Sequence, residues 1–174
     1  MPAAEQGGPT GHIVILGAMG SGKSNLARRL AASLERDLFD SDVGIESDTG
    51  RSGREIAESD GVAALHALER EALLDALARE DPAVIAAAAS VVDDPGARSA
   101  LKTVFCIWVR ADPEILEERV SRGDHRRRVA SSEQLERRDS LFGELADLVM
   151  DTGESSPDDT ARRALSEMRN WAGE

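Results

Sequence analysis

Apolar runs and helical stripes alternate along the chain from its amino end. His12–Leu16 is apolar without polar alternation, the pattern of a strand covered on both faces. Over Lys23–Glu35, Leu26, Leu30 and Leu34 fall on one helical stripe, with Arg28, Arg29 and Arg36 outside it. A second short strand ends at Leu38-Phe39-Asp40. Gly50–Gly53 punctuates the pattern, Arg54–Ser59 predicts a short helix, and Val62–Arg79 predicts a longer one. That longer helix turns Leu65, Leu68, Leu73, Leu74 and Leu77 inward until Pro82 breaks it. Ala83–Ala89 fits a strand of small residues, although its periodicity fits a helix equally. Pro95–Leu101 reads as a helical turn, Val104–Val109 as the clearest strand, and Pro113–Arg122 as a helix with proline in its first turn. Ser132–Leu141 is helical, Ala146–Met150 is a last strand, and a final helix opens at Ser156-Pro157 and runs to Trp171. Strands alternating with helices predict one α/β domain over 12–174 with a parallel sheet, after a flexible tail over 1–11 rich in Gly and Pro.

Between the first strand and the first helix lies Gly17-Ala-Met-Gly-Ser-Gly22-Lys23-Ser24, the spacing of a phosphate-binding loop. Gly17, Gly20 and Gly22 permit positive φ and close backbone approach, so successive N–H groups, Ser21 and Asn25 included, can face phosphate oxygens. The helix that follows adds unpaired N–H groups and the positive end of its dipole. Lys23 is placed to reach the β- and γ-phosphates, and the Ser24 hydroxyl to ligate Mg²⁺. A glycine-rich turn with a surface lysine would need neither flank, and both are present. The loop alone does not choose among kinases, GTPases, motor ATPases and sulfotransferases. An Asn-Lys-x-Asp guanine-reading motif is missing, and so is the run of four hydrophobic residues and Asp expected of large ATPase machines. Asp40 and Asp42 bracket Ser41 at the end of the second strand, where both carboxylates face the phosphate end of the sheet. One can serve a magnesium-bound water and the other an acceptor hydroxyl; Asp-Ser-Asp is also a common turn and helix-cap sequence.

Charge and composition narrow the partners. The formal net charge of -12 opposes nucleic acid and anionic membrane. Aromatic content of 3%, with no Tyr, leaves little for stacking on bases. No stretch approaches a membrane span, and the first residues lack the pattern of a signal peptide, so a cytoplasmic location is expected. The single cysteine, Cys106, lies in an apolar strand and reads as an inert core thiol. Trp108 and Phe105 on that strand read as core.

From Ile13 to Leu165 the order of motifs resembles shikimate kinase, within the nucleoside-monophosphate-kinase-like group of P-loop kinases. The likeness rests on the loop, on Phe39-Asp-Ser-Asp-Val-Gly-Ile-Glu46, on Thr49-Gly-Arg-Ser52 and on Glu55–Gly61. It continues in Ala111–Arg119, in Arg138-Asp-Ser-Leu-Phe142 where the family has Arg-x-Pro-Leu-Tyr, in Ala146–Thr152 and in Ser156-Pro157. The resemblance implies a three-layer fold with a short lid, ATP and Mg²⁺ as cofactors, and a small-molecule acceptor. Lys23, Asp42 and Arg126 would be catalytic, Arg126 as lid arginine chosen from Arg126, Arg127 and Arg128 by its spacing after Arg119. Arg119 and Pro157 would lie at adenine, Asp40 would join Ser24 at magnesium, and Arg138 would bind the acceptor's carboxylate.

The chain departs from the family on the acceptor side. Gly-Gly-Gly becomes Ala88-Ala89-Ser90, whose side chains would narrow the pocket or move its backbone. A second acceptor-binding arginine becomes His66, which cannot copy a bidentate grip on a carboxylate and could instead pair with Glu69 one turn on. Asp93 and Asp94 are expected to cap the helix at Pro95, or to meet an amino group on the acceptor. The sequence thus points to an ATP-dependent kinase for the hydroxyl of a small polar, carboxylate-bearing metabolite other than shikimate. Shikimate kinase proper is one alternative, and a nucleotide-binding regulatory protein without phosphotransfer is another. The oligomeric state is unknown from the sequence.

Overall fold

The computed structural model describes residues 8–122 and 131–171. Five parallel strands, β1 (Ile13–Leu16), β2 (Asp37–Asp40), β3 (Ala83–Ala86), β4 (Phe105–Arg110) and β5 (Leu148–Asp151), form a sheet in the order β2-β3-β1-β4-β5. The helices are α1 (Lys23–Leu34), α2 (Ser41–Thr49), α3 (Gly53–Ser59), α4 (Val62–Leu77), α5 (Pro95–Leu101), α6 (Pro113–Arg122), α7 (Ser132–Leu145) and α8 (Pro157–Asn170), with a 3-10 turn at Ala89–Asp93. Because β1 is central, with β3 on one side and β4 on the other, its carboxyl end is a topological switch point, where open α/β sheets bind ligands. The loop from Gly17 to Gly22 starts there.

All four residues of β1 are buried, as an unbroken apolar run requires. Side-chain alternation then divides the core. Ile13 and Ile15 pack with Leu26, Leu30, Ile107, Met150 and Met168 under α1 and α8. Val14 and Leu16 pack on the opposite face with Leu73, Ile85, Cys106 and Phe142 under α4 and α7. A smaller cluster of Ile45, Ile56 and Leu65 ties α2, α3 and α4 into a unit beside the sheet. Its α3 begins with a capping box between Ser52 and Glu55, and Arg51 clamps Asp60 through two nitrogens, 2.8 and 3.1 Å.

One element goes beyond the sequence expectations and one revises them. Helix α2 has no apolar stripe to announce it; the Asp40 side chain caps it by accepting from Asp42 N and Val43 N, and Gly50 ends it in left-handed conformation. The small-residue run is a strand only over Ala83–Ala86, and Ala89 onward turns into the 3-10 segment. At the amino side of the domain, Arg36 donates to the carbonyls of Gly11 and Pro9, both 2.8 Å.

Candidate active site

The loop has the shape that its glycines allow. Gly17, Gly20 and Gly22 all have positive φ, and a Cβ on Gly17 would lie 2.2 Å from the Val109 carbonyl oxygen. The backbone thus passes over β4 at a distance that only glycine permits. Gly22, at the cap of α1, makes no side-chain cap hydrogen bond. The first N–H groups of a helix and its positive end form an anion site. Lys23 crosses the loop, its Nζ donating to the Ala18 carbonyl at 2.9 Å. Ser24 Oγ donates to Asp40 Oδ2 at 2.6 Å, while Asp40 Oδ1 caps α2. One carboxylate therefore links the loop to α2 and directs Asp42 from the first turn of that helix.

These residues open into a cavity of about 1320 Å³ along the carboxyl edge of the sheet. Of the residues expected at the site, Gly20, Ser21, Gly22, Lys23, Ser24, Asn25, Asp40, Asp42 and Arg119 line it. So do His66, Ala88, Ala89, Ser90, Arg138 and Pro157. Gly17 lies beneath, against β4. Arg126 lies outside the described residues, as do His125, Arg127 and Arg128.

Ala88-Ala89-Ser90, which the sequence reading expects at an acceptor, has no positive φ. Glu35 is the one non-glycine residue with positive φ among the described residues, and Ala88 sits at φ −64°. Ser90 is buried and donates its hydroxyl to the buried Glu69. His66 lines the cavity and is half-buried. Arg138 is 8% exposed, and its Nε and Nη2 donate to Asp93 Oδ2 at 3.1 and 2.7 Å. Asp94 is the cap of α5, accepting from Ala97 N at 2.7 Å. The two adjacent aspartates thus divide, one capping and one holding the arginine.

Thr152, which belongs to no motif of the loop or the aspartate pair, is buried between the loop and the end of β5. Its hydroxyl donates to the Ser21 carbonyl at 2.7 Å, and Arg119 donates to its carbonyl at 2.9 Å and to its hydroxyl at 3.3 Å. Arg119 also reaches the Gly20 carbonyl at 3.3 Å. Thr152 therefore fixes the arginine and the loop backbone together. Thr152→Val takes the hydroxyl from the Ser21 carbonyl and one of three bonds from Arg119, and is expected to raise the KM for ATP by up to about 10-fold, with Thr152→Ser restoring it. Steady-state kinetics with varied ATP checks this. Nearby, Arg29 on α1 meets Asp158 on α8 at 2.7 Å and holds that carboxyl below its ordinary value. Burial pushes the Cys106 thiol up to about 12, so it has no nucleophilic role at neutral pH.

The donor set suits a hard cation. Ser24 and Asp40 offer oxygens beside the loop, and among the described residues no group of three or more His, Cys, Asp or Glu could hold a metal by itself. A magnesium site of one carboxylate and one hydroxyl, completed by water and phosphate, has this form.

The description of the shikimate kinase family matches residues 19–169. The chain belongs to the shikimate kinase family. It is an ATP-dependent phosphotransferase acting on a hydroxyl group. A shikimate kinase of Paramagnetospirillum magneticum is 32% identical over 161 residues, 88% of this chain and 82% of that one. A bifunctional shikimate kinase/3-dehydroquinate synthase of Thermotoga maritima is 40% identical over 109 residues, 63% of this chain but only 22% of that longer protein. Among solved structures, a shikimate kinase from Acinetobacter baumannii in complex with shikimate superimposes with TM-score 0.85 at 26% identity, covering 96% of each chain. The five-stranded parallel sheet flanked by helices is thus the P-loop kinase fold, as the motif order implied.

Proposed function

We propose that this shikimate kinase family member transfers the γ-phosphoryl group of ATP to a hydroxyl of shikimate, with Mg²⁺, in the cytoplasm. The observation that carries the reading is the continuity of one cavity from Lys23, Ser24 and Asp40 to Asp42 and Arg138. Donor and acceptor chemistry share a single space.

The loop N–H groups and the amino end of α1 hold the phosphates, and Lys23 neutralises their charge. Ser24 and Asp40 would hold the cation, which would offset the charge developing on the phosphoryl oxygens. Asp42 accepts the acceptor's hydroxyl hydrogen bond and takes the proton as the oxygen–phosphorus bond forms. The bond from γ-phosphorus to the bridging oxygen breaks, and ADP leaves. Arg138 faces the acceptor's acidic group, and Arg119 with Pro157 flanks the adenine. Most of the acceleration comes from positioning and charge neutralisation.

Family membership over residues 19–169 supports shikimate itself more than the different acceptor expected from the sequence. Ala88–Ser90 has ordinary φ, and its side chains line the cavity. A second reading, a small hydroxylated acceptor other than shikimate, keeps support from His66 and from the Asp93 carboxylate on Arg138.

A coupled assay of ADP release decides between them. Shikimate is expected to turn over at roughly 1–100 s⁻¹, the range of kinases. Turnover on another hydroxy acid, amino acid or sugar, with shikimate inert, favours the second reading. Tight ATP binding with no turnover on any acceptor favours a regulatory protein.

A further inference from the structure

An arginine that anchors a substrate carboxylate does so best with two parallel N–H donors. In this chain one such edge of Arg138 is already occupied. Nε and Nη2 both donate to Asp93 Oδ2, and the Asp93 side chain is 27% exposed. Arg137 stands farther off on the same carboxylate, with Nη2 3.8 Å from Oδ1. Asp93 does not itself line the cavity, whereas Arg138 and Gln134 do. The internal carboxylate therefore sits behind the anchor, balancing its charge. The pairing depends on β3 and α7 meeting through the 3-10 turn, which ends at Asp93.

We propose that Asp93 is a specificity-determining residue: by occupying the Nε–Nη2 edge of Arg138 and balancing its charge, it weakens selection for a carboxylate on the acceptor. This rests on the reading of Arg138 as the acceptor's anchor. With imidazole at His66 rather than a second guanidinium, the pocket recognises its acceptor less by net charge and more by hydroxyl hydrogen bonds. Asp93 touches neither the acceptor nor the phosphates, so its effect passes entirely through Arg138.

The test uses the full chain with Mg²⁺ and a non-hydrolysable ATP analogue, and titrates shikimate against its methyl ester. The natural protein is expected to prefer the acid by no more than about 10-fold, less than a full bidentate charged contact gives. Asp93→Asn keeps an oxygen for Nε and Nη2 but removes the charge. It is expected to raise that preference on the order of 10-fold, through the acid alone, with the KM for ATP unchanged. An unchanged or reduced preference overturns the inference and shows Asp93 to be a support for Arg138. A preference above about 100-fold in the natural protein overturns it also, whether or not the variant folds. If the natural protein phosphorylates only another acceptor while Asp93→Asn gains shikimate binding, the inference stands and the shikimate assignment falls. If shikimate is turned over but the preference does not move, the assignment stands and the inference falls. Binding of neither compound by either protein overturns both.

Discussion

Asp42→Asn is expected to lower kcat by ~10²–10⁴-fold, the range for a positioned general base. Asparagine keeps the size of the side chain but cannot take the acceptor's proton. Asp42 stands in the first turn of α2 at the cavity wall, two residues after the aspartate that meets Ser24. Its own carboxylate is not the cap of that helix; Asp40 supplies the cap. The variant is therefore expected to fold normally and to bind ATP within about threefold of the natural protein. Thermal unfolding and ATP titration separate these outcomes. A parallel loss of ATP binding would mean that Asp42 belongs to the donor half of the site.

Lys23→Ala is expected to act on the donor half, lowering kcat/KM by ~10²–10³-fold, as loss of one preorganised stabilising group does elsewhere. Lys23 spans the loop to the Ala18 carbonyl, so its removal also takes a hydrogen bond from the loop. That structural loss is worth only about 1 kcal/mol and leaves the fold intact. The acceptor KM is expected to change little, since the residues proposed to meet the acceptor lie on α2, α4, α7 and at the 3-10 turn. Initial rates with each substrate varied in turn give the comparison. Transfer at the natural rate in Lys23→Ala would remove the loop lysine from the chemistry.

The loop's shape was legible in the sequence because its parts are local. A buried strand, three glycines, Lys23, Ser24 and an amphipathic helix follow one another without a gap, and the backbone conformations match their residue types. Helix α2 was not legible. Ser41–Thr49 carries Gly44 and polar residues on most faces, and forms because Asp40 caps one end and Gly50 closes the other. Residues whose roles depend on long-range pairing were missed or misassigned. Thr152 carries no motif, and its importance arises where β5 runs beside the loop, 131 residues away from Ser21 in sequence. Asp93 and Asp94 look equivalent as helix caps, yet only Asp94 caps. Asp93 turns to Arg138, 45 residues on, a partner that no spacing rule indicates. Ala88 and Ala89 have ordinary φ, and their side chains stand at the cavity wall.

On the proposed reading, the phosphoryl group passes to an acceptor hydroxyl within the cavity shared by the loop and Arg138. A single-turnover experiment with γ-labelled ATP, Mg²⁺ and shikimate follows the label itself. Label is expected on shikimate in step with ADP, and Asp42→Asn is expected to slow this transfer by the same ~10²–10⁴-fold. Label recovered as free inorganic phosphate, at a rate indifferent to shikimate, would contradict that reading.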